Sequence, residues 1–579
     1  MASGTPPITN FTAGEWSVKM EGRVDIGRYG QACSELLNMT IMPHGAVTRR
    51  MGTEFIAACD AGPVRLVPFV FNREQAYVME LTPGRIRFFR SGGYLAGKDI
   101  VSPYTAADIP ELAYCQSADV MYIVCREHAP RKLTRPGEDS FTLAEVSFTG
   151  RPSEWAEGNW PCAVTFHQQR LWMGGTPRQA QKLWASKTGE FENFTTGTDE
   201  ASGLALSLVS EQVNAIRWMI SQKKLLIGTA GGEWVLHGGG AGSITNKNIQ
   251  AERNSNYGTA SVRPFISGVS ALHVSADGRR LRDLRFDVVE DSFLSSDISL
   301  VAEHLTRPGI IEIADCQNPD AVIWCLIKGG GLCGCTYLRS QEVIGWHRHE
   351  TAGEVLSICC VPAEGFTETW LAVRRGGSAG TRDTAPGGIC IERMKAPWDG
   401  EHTGDPGCWY VDSGLLYEGP VTREIRGLEH LEGRAVAVLA DGAAHPGRVV
   451  VDGRITLAAP ASTVLAGLPY AWAVAPMRLE GLSPRGTMQG KKTRITEVTA
   501  RLYKSLGVCW ELPGQTERAF PLANRDVDMP MDAAPLPFTG DVSMAMPGGW
   551  QSDARVRLCG EGAFPATVTM LVPRAVVNE

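Results

Sequence analysis

A polar turn followed by a short apolar run recurs along this chain, and that recurrence sets what it can fold into. Asn72-Arg-Glu-Gln precedes AYVMEL, Ser117-Ala-Asp precedes VMYIV, and His167-Gln-Gln-Arg precedes LWMGG. Ser221-Gln-Lys-Lys before LLIG, Ser275-Ala-Asp-Gly before RRLRDLRF, Asp320 before AVIWCLI and Phe366-Thr-Glu before TWLAV continue the series. The starts lie 45, 50, 54, 54, 45 and 46 residues apart. A sheet of four short strands takes roughly 40–50 residues, the length of a β-propeller blade. Seven such units fit between about residue 60 and residue 396. A pair of β-sandwiches with regular hairpins is the competing architecture.

The rest of the chain is also β in character. Apolar residues alternate with a period of two, and Asp277-Gly278, Asp441-Gly442 and Asp452-Gly453 are hairpin signals, because Gly tolerates the positive φ of tight turns. Abundant Gly (64) and Pro (34) favour turns over long helices. The fold class read from the sequence is mainly β: a β-propeller-like repeat domain with additional antiparallel β domains. The expected division is an N-terminal assembly or adaptor-side segment (1–60), a propeller-like domain (61–396), a β domain (397–510), and a C-terminal arm with strands (511–579). Within it, 434–457 reads as a three-stranded meander, Pro513–Pro537 as a linker or extended arm, and 376–388 as a flexible loop.

Composition narrows function. The net charge of −7 argues against a basic surface that grips nucleic acid, although not against a channel through which DNA slides. Fifteen cysteines, scattered and often inside apolar runs, read as reduced small hydrophobes from a cytosolic folding environment. No signal peptide is visible at the N-terminus, and no run of about 18 apolar residues predicts a membrane-spanning helix, so no stable membrane insertion is expected.

Candidate chemistry mostly dissolves on inspection. Gly486-Thr-Met-Gln-Gly490-Lys491-Lys492-Thr493 resembles a phosphate loop, but its spacing is wrong and strand-like RITEVTARLY follows where a helix is needed. Cys333-Gly-Cys335, with Cys325 and the Cys359-Cys360 pair, supplies no second converging ligand pair for zinc. His347 and His349 share one strand face without an evident third ligand. Arg131-Lys132 with Arg135, and Arg485 with Lys491, Lys492 and Arg494, read as solvated surface or subunit contacts. No catalytic, metal or cofactor residue is assigned, and the chain is not expected to be an enzyme.

The N-terminal stretch is the most informative. Phe11-Thr-Ala-Gly14-Glu15-Trp leads to Gly22-Arg23-Val-Asp25, then Tyr29, Cys33, Asn38, Pro43-His-Gly45, Arg49-Arg50 and Gly52-Thr-Glu-Phe55. Further segments follow in order: Leu112–Val120 with Pro130–Leu133, Phe166–Trp172, Trp184–Gly189, Gly427–Gly433, Gly467–Tyr470 and Phe538–Asp541. Together they resemble the tail nozzle proteins (tail tubular protein B) of short-tailed bacteriophages, with His44-Gly45 where many relatives carry Gly-Gly. The resemblance implies a ring, typically a homo-hexamer, beneath the adaptor (head-to-tail) protein. It implies a conduit that conducts and gates genome ejection and docks tail fibres or spikes, in a virion tail assembled in the host cytoplasm. Genomic DNA would pass through the lumen without sequence-specific binding, and an acidic wall would keep it mobile. Phe11, Gly14, Glu15, Gly22, Arg23, Asp25, Tyr29, Arg49 and Arg50 are the candidate assembly motif. The Gly-rich loops at Gly238–Ser243 and Gly376–Gly388 are candidates for a gate or a fibre contact. A receptor- or glycan-binding tail propeller is the alternative, and a polysaccharide depolymerase a more distant one.

Overall fold

The computed structural model describes residues 2–4, 7–59, 62–240, 242–376, 388–480, 487–512, 515–521 and 534–578. Among them the chain is built almost wholly of strands, and the largest part of it is a closed β-propeller. Its innermost strands are Arg65–Val70, Ala113–Ser117, Ala163–His167, Ile216–Ser221, Phe265–Ser267, Ile310–Cys316 and Glu354–Pro362. Each opens an antiparallel blade whose next strands follow in sequence order.

The cores close the ring. Separate hydrophobic clusters lie between successive blades: Phe69 and Tyr77 meet Met121 and Phe141; Tyr122 meets Trp155 and Trp184; Trp172 meets Leu225 and Trp234. Trp218 meets Leu284, Leu281 meets Cys325 and Trp346, and Trp324 meets Val355 and Leu371. The last cluster returns to the start, packing Val361 and Trp370 against Leu66 and Phe89. Sheets stacked face to face in this way bury both surfaces, so the middle strands are continuously apolar rather than alternating. Val322–Ile327 is buried along its whole length.

Six of the seven apolar runs flagged by the repeat fall on the second strand of their blade. The fifth falls on the third strand, Leu281–Asp287, because the true second strand, Ser270–Val274, carries the buried polar residues Ser270 and His273 and gives a weaker apolar signal.

The ring closes with a strand from outside the expected propeller span. Thr53–Cys59, read from sequence as part of the N-terminal segment, pairs antiparallel with Ile389–Met394 as the outer strand of the seventh blade, Met394 facing Thr53 and Ile389 facing Cys59. A single chain-distant strand thereby ties the beginning of the propeller to its end.

Two further units extend these last blades. The outer strand of blade seven also pairs in parallel with Asp412–Arg426, at Gly414 and Glu54, carrying its sheet into a unit of Asp412–Arg426, Arg454–Leu468, Ala435–Ala440 and Ala443–Val449 in that order. Its tight turns are those the sequence flagged: Asp441 (φ 46°) with Gly442 (φ 79°), and Asp452 (φ 51°) with Gly453 (φ 68°). The strand order is not the simple meander expected, because Ala435–Ala440 pairs with the distal half of Arg454–Leu468.

The second unit, the platform, joins the two ends of the chain. Ala2–Gly4, Met39–Ile41 and Val47–Arg49 share a sheet with Thr493–Ser505, Phe538–Ala545 and Thr567–Val577. Gly14–Glu15 and Ala32–Leu37 continue the sheet of blade six into Trp472–Pro476, Arg557–Gly560, Cys509–Leu512 and Gln515–Pro521. One core that includes Phe11, Leu36, Met39, Trp472, Val498, Trp510 and Leu571 fills the space between them. The expected boundary at 510 therefore cuts through one unit. Part of the expected linker Pro513–Pro537 is a strand, Gln515–Pro521, and most of its remainder lies outside the described residues. Among the described residues, no helix is long and apolar enough to cross a membrane.

Candidate interaction sites

The motif residues divide into a buried joint and an exposed tip. Gly14 sits where the platform strand Gly14–Glu15 runs between Ala32–Leu37 and the last strand of blade six. Its φ is +75°, and a Cβ there would lie 2.3 Å from the backbone nitrogen of Trp346. Only glycine fits that approach. Glu15 is buried beside it: one carboxylate oxygen accepts from Leu36 N at 2.6 Å, the other contacts His304 Nε2 at 2.9 Å. Phe11 is wholly buried in the platform core, and Tyr29 packs edge-on against Trp16 and donates its hydroxyl to the Glu21 carbonyl. Gly22 has open space around it, and Arg23 forms a bidentate pair with Asp25 at 2.9 Å on the exposed surface.

Arg49 and Arg50 lie inside the protein, where the propeller, the platform and the 412–468 unit meet. The Arg50 guanidinium holds both oxygens of Asp412 at 2.7 Å, donates to Asn38 Oδ1 at 3.0 Å and to the Glu350 carbonyl at 3.0 Å, and lies 3.9 Å from the Tyr470 ring centre. Arg49 covers the same ring at 4.3 Å and donates to the carbonyls of Phe564 and Tyr470 at 2.7 and 2.8 Å. Thr351 links Asp412 to Arg375, which forms a second buried pair with Glu392. Burial pushes the Asp412 carboxyl up, but the Arg50 charge and hydrogen bonds outweigh it and hold the group below its ordinary range. Burial likewise disfavours the Arg50 cation, and Asp412 more than restores it. Placed here, Arg49 and Arg50 bind the units of one chain together and are not available to a neighbouring molecule.

The other flagged residues take structural places. Arg131, Lys132 and Arg135 pair with Glu145, Glu192 and Asp119. Cys325 and Cys333 face each other across paired strands in the interior. His347 Nδ1 meets His349 Nε2 at 2.6 Å, both rings buried, and burial lowers both pKa values, that of His347 to about 3. Among the described residues no three His, Cys, Asp or Glu side chains are grouped to hold a metal. Thr493 of the phosphate-loop-like segment begins a strand paired with Thr567–Val577, while Arg485 and Gly486 lie outside the described residues. So do Ala241 of one candidate gate loop and 377–387 of the other.

The propeller channel escaped the sequence reading. Two adjoining cavities, of about 530 and 360 Å³, share Arg65, Tyr114, Ser261 and Arg263 and together touch all seven blades. Three of the innermost strands carry a β-bulge near their first residues, leaving Arg217, Ile311 and Leu356 unpaired, and all three line the channel. Bulges re-aim side chains in this way. A single Arg at each of three sites about 50 or 150 residues apart leaves no local pattern to find in the sequence.

No protein-family model matches the chain, and no curated protein matches it in sequence. Among solved structures it is similar to the WD40 repeats of RRP9, at 11% identity over 60% of this chain and 100% of that one, with a TM-score of 0.39. It is also similar to U3-55K (11% identity, 59% and 98% covered, TM-score 0.38) and to the Pan2 WD40 domain of Neurospora crassa (9%, 58% and 91%, 0.36). At this depth the likeness assigns neither a family nor a partner.

Proposed function

We propose that this chain is a structural subunit of a short bacteriophage tail, the nozzle ring that conducts and gates genome ejection and docks fibres or spikes. The observation that carries the reading is the ordered run of nozzle-like motifs from Phe11 to Asp541. Two features of the fold support it. Residues of that run from both ends of the chain meet in one platform, and the platform continues the sheet of blade six without a flexible linker. Around that joint, Arg50–Asp412 ties the N-terminal strands to the 412–468 unit, and Thr351 links that pair to Arg375–Glu392 in blade seven of the propeller. A ring that transmits force between an adaptor and external fibres needs such a stiff joint. A closed ring needs two different faces per subunit, and the platform and propeller supply surfaces of different construction. The reading places the protein in the virion tail, assembled in the host cytoplasm as a homo-hexamer, with function carried by surfaces and no catalysis.

Cryo-electron microscopy of purified tails tests this. Rings of this chain beneath the adaptor are the expected result; one copy per tail, or density only at fibre tips, would overturn it. The alternative, a receptor- or glycan-binding tail propeller, is favoured by the cationic channel, and binding of the isolated full chain to host surface glycans with no ring formation would select it.

A further inference from the structure

We infer that the propeller channel is a binding site for an extended acidic peptide segment of a partner protein, read through Arg65, Arg217 and Arg263. The inference rests on the channel itself and does not depend on the tail reading.

The three arginines come from separate blades and converge on one cavity. Arg263 lies 4.2 Å from the Tyr114 ring centre and donates to its hydroxyl at 3.3 Å; Arg65 lies 5.9 Å from the same ring. Arg65 uses one terminal nitrogen on the carbonyls of Ile109 and Leu112, at 3.2 and 2.7 Å, which fixes the direction of its fork. Arg217, re-aimed by its bulge, donates to Ser261 Oγ at 3.2 Å. Among the described residues none of the three has a carboxylate within ion-pair distance, whereas Arg126 at the same cavity is paired with Glu111 at 2.8 Å. Like charges brought together on a rigid frame repel, and an oppositely charged ligand relieves that repulsion.

The channel also says which anion. Planar guanidinium forks take carboxylates in bidentate fashion. Between and beyond the arginines the wall is apolar, with Val64, Val262, Ile311 and Leu356 among its residues. Glu312 stands in the adjoining cavity, where it accepts from Ser357 Oγ and Ile358 N at 2.8 and 3.0 Å. Burial holds its carboxyl above the ordinary range while Arg65 pulls it the other way. Glu111, Glu312, Asp315 and Glu354 interrupt this path, so spaced carboxylates that fall at the arginines fit it better than the continuous charge of a phosphate backbone, and a small free anion would leave the apolar wall unused. A peptide that alternates carboxylates with apolar side chains satisfies both surfaces, and strand-like alternation places them on opposite sides of an extended chain.

The test is fluorescence anisotropy of the full-length protein with a labelled peptide of about eight alternating Glu and Val residues, roughly 26 Å when extended. Saturable binding that weakens with added salt, and by about tenfold or more in both Arg263→Gln and Arg217→Gln, is expected. Arg279→Gln, at an exposed turn of blade five away from the channel, should bind as the parent does. Both channel residues are exposed, so circular dichroism of the variants should be unchanged. The proposal is overturned by no saturable binding, by equal binding of a Gln–Val peptide, or by full affinity in the two channel variants. It is also overturned if inorganic phosphate or a thymidine oligonucleotide displaces the peptide at matching concentration, which would make this a small-anion or nucleic-acid site.

Discussion

The molecule uses arginine in two opposite ways. At the joint, Arg49 and Arg50 are withdrawn from water: Asp412 answers the Arg50 charge, while Arg49 rests on backbone carbonyls and the face of Tyr470, its Nε buried without a hydrogen-bond partner. In the channel, Arg65, Arg217 and Arg263 stand in open space with hydroxyls, carbonyls and one ring, and no ion-paired carboxylate among the described residues. Arg50 has its counter-charge within the chain, and Arg49 is enclosed by carbonyls and aromatic faces, so both contribute to the fold. The channel arginines leave theirs to be supplied from outside, so they are free to recognise. The sharpest contrast is between Arg50, whose counter-charge is internal, and the channel arginines, which have none among the described residues.

Removing a counter-charge should show the difference most sharply. Asp412→Ala leaves the Arg50 cation buried and uncompensated, which typically costs about 3–5 kcal/mol. Chemical denaturation should register a loss of that size, while Arg263→Gln, taken from the channel, should leave the midpoint unchanged. A small effect of Asp412→Ala would mean that the carbonyls of Met51 and Glu350 suffice to hold Arg50.

Between blades four and five lies a group that obeys neither rule. Glu233 is fully buried, neither carboxylate oxygen has a hydrogen-bond partner, and its nearest base, His273, is 3.8 Å away. Burial raises the Glu233 pKa to about 7 and lowers that of His273 to about 3. The folded protein therefore holds the Glu233 proton that the unfolded chain releases near 4.5. Stability from this group is complete below about pH 4.5 and is lost as the pH rises through about 7, by about 3 kcal/mol over the window. Glu233→Gln should match the parent at low pH and exceed it by roughly that amount at pH 8. His273 acts in the opposite sense on acidification, so the difference between the two proteins, not either curve alone, is the quantity to measure. A constant difference across the range would show that Glu233 stays charged.

At the joint, geometry matters as much as charge. Gly14→Ala forces a Cβ against the Trp346 backbone at positive φ and should cost about 2 kcal/mol. Hydrogen exchange should then report opening along Val343–His349, since Gly14 pairs with Trp346. Protection lost evenly over the whole chain would instead mean that blade six and the platform unfold as one.

How much of this could be read in the sequence follows the same divide between local and distant partners. Blades are local: their strands pair in order, and the buried second strands, such as Val322–Ile327, announce themselves as apolar runs. Platform pairs are not: Ala2 meets Val577 and Cys33 meets Pro476, so neither strand carries information about its partner. Thr53–Cys59 is mostly half-buried and gives no sign that it closes the propeller. The Arg49-Arg50 dipeptide was visible as a motif, but its burial depends on Asp412 and Tyr470, far along the chain. The channel arginines are single residues in unrelated contexts: Arg65 opens a strand, Arg217 sits in a bulge and Arg263 in a loop.

Arg23 and Asp25 provide the finest test of the comparison, because they belong to the same motif as Arg49 and Arg50 yet share the surface with the channel arginines. Their bidentate pair is fully in water, where side-chain entropy and screening cancel most of the attraction. Arg23→Ala should therefore leave the melting temperature where it was. If the motif serves assembly through its exposed tip, the same variant should shift native mass spectra from rings to monomers, and the double variant with Asp25→Ala should do no more. If the rings persist unchanged, the motif's exposed tip plays no part in assembly, and the role of the segment reduces to the buried joint that Gly14, Glu15, Arg49 and Arg50 build.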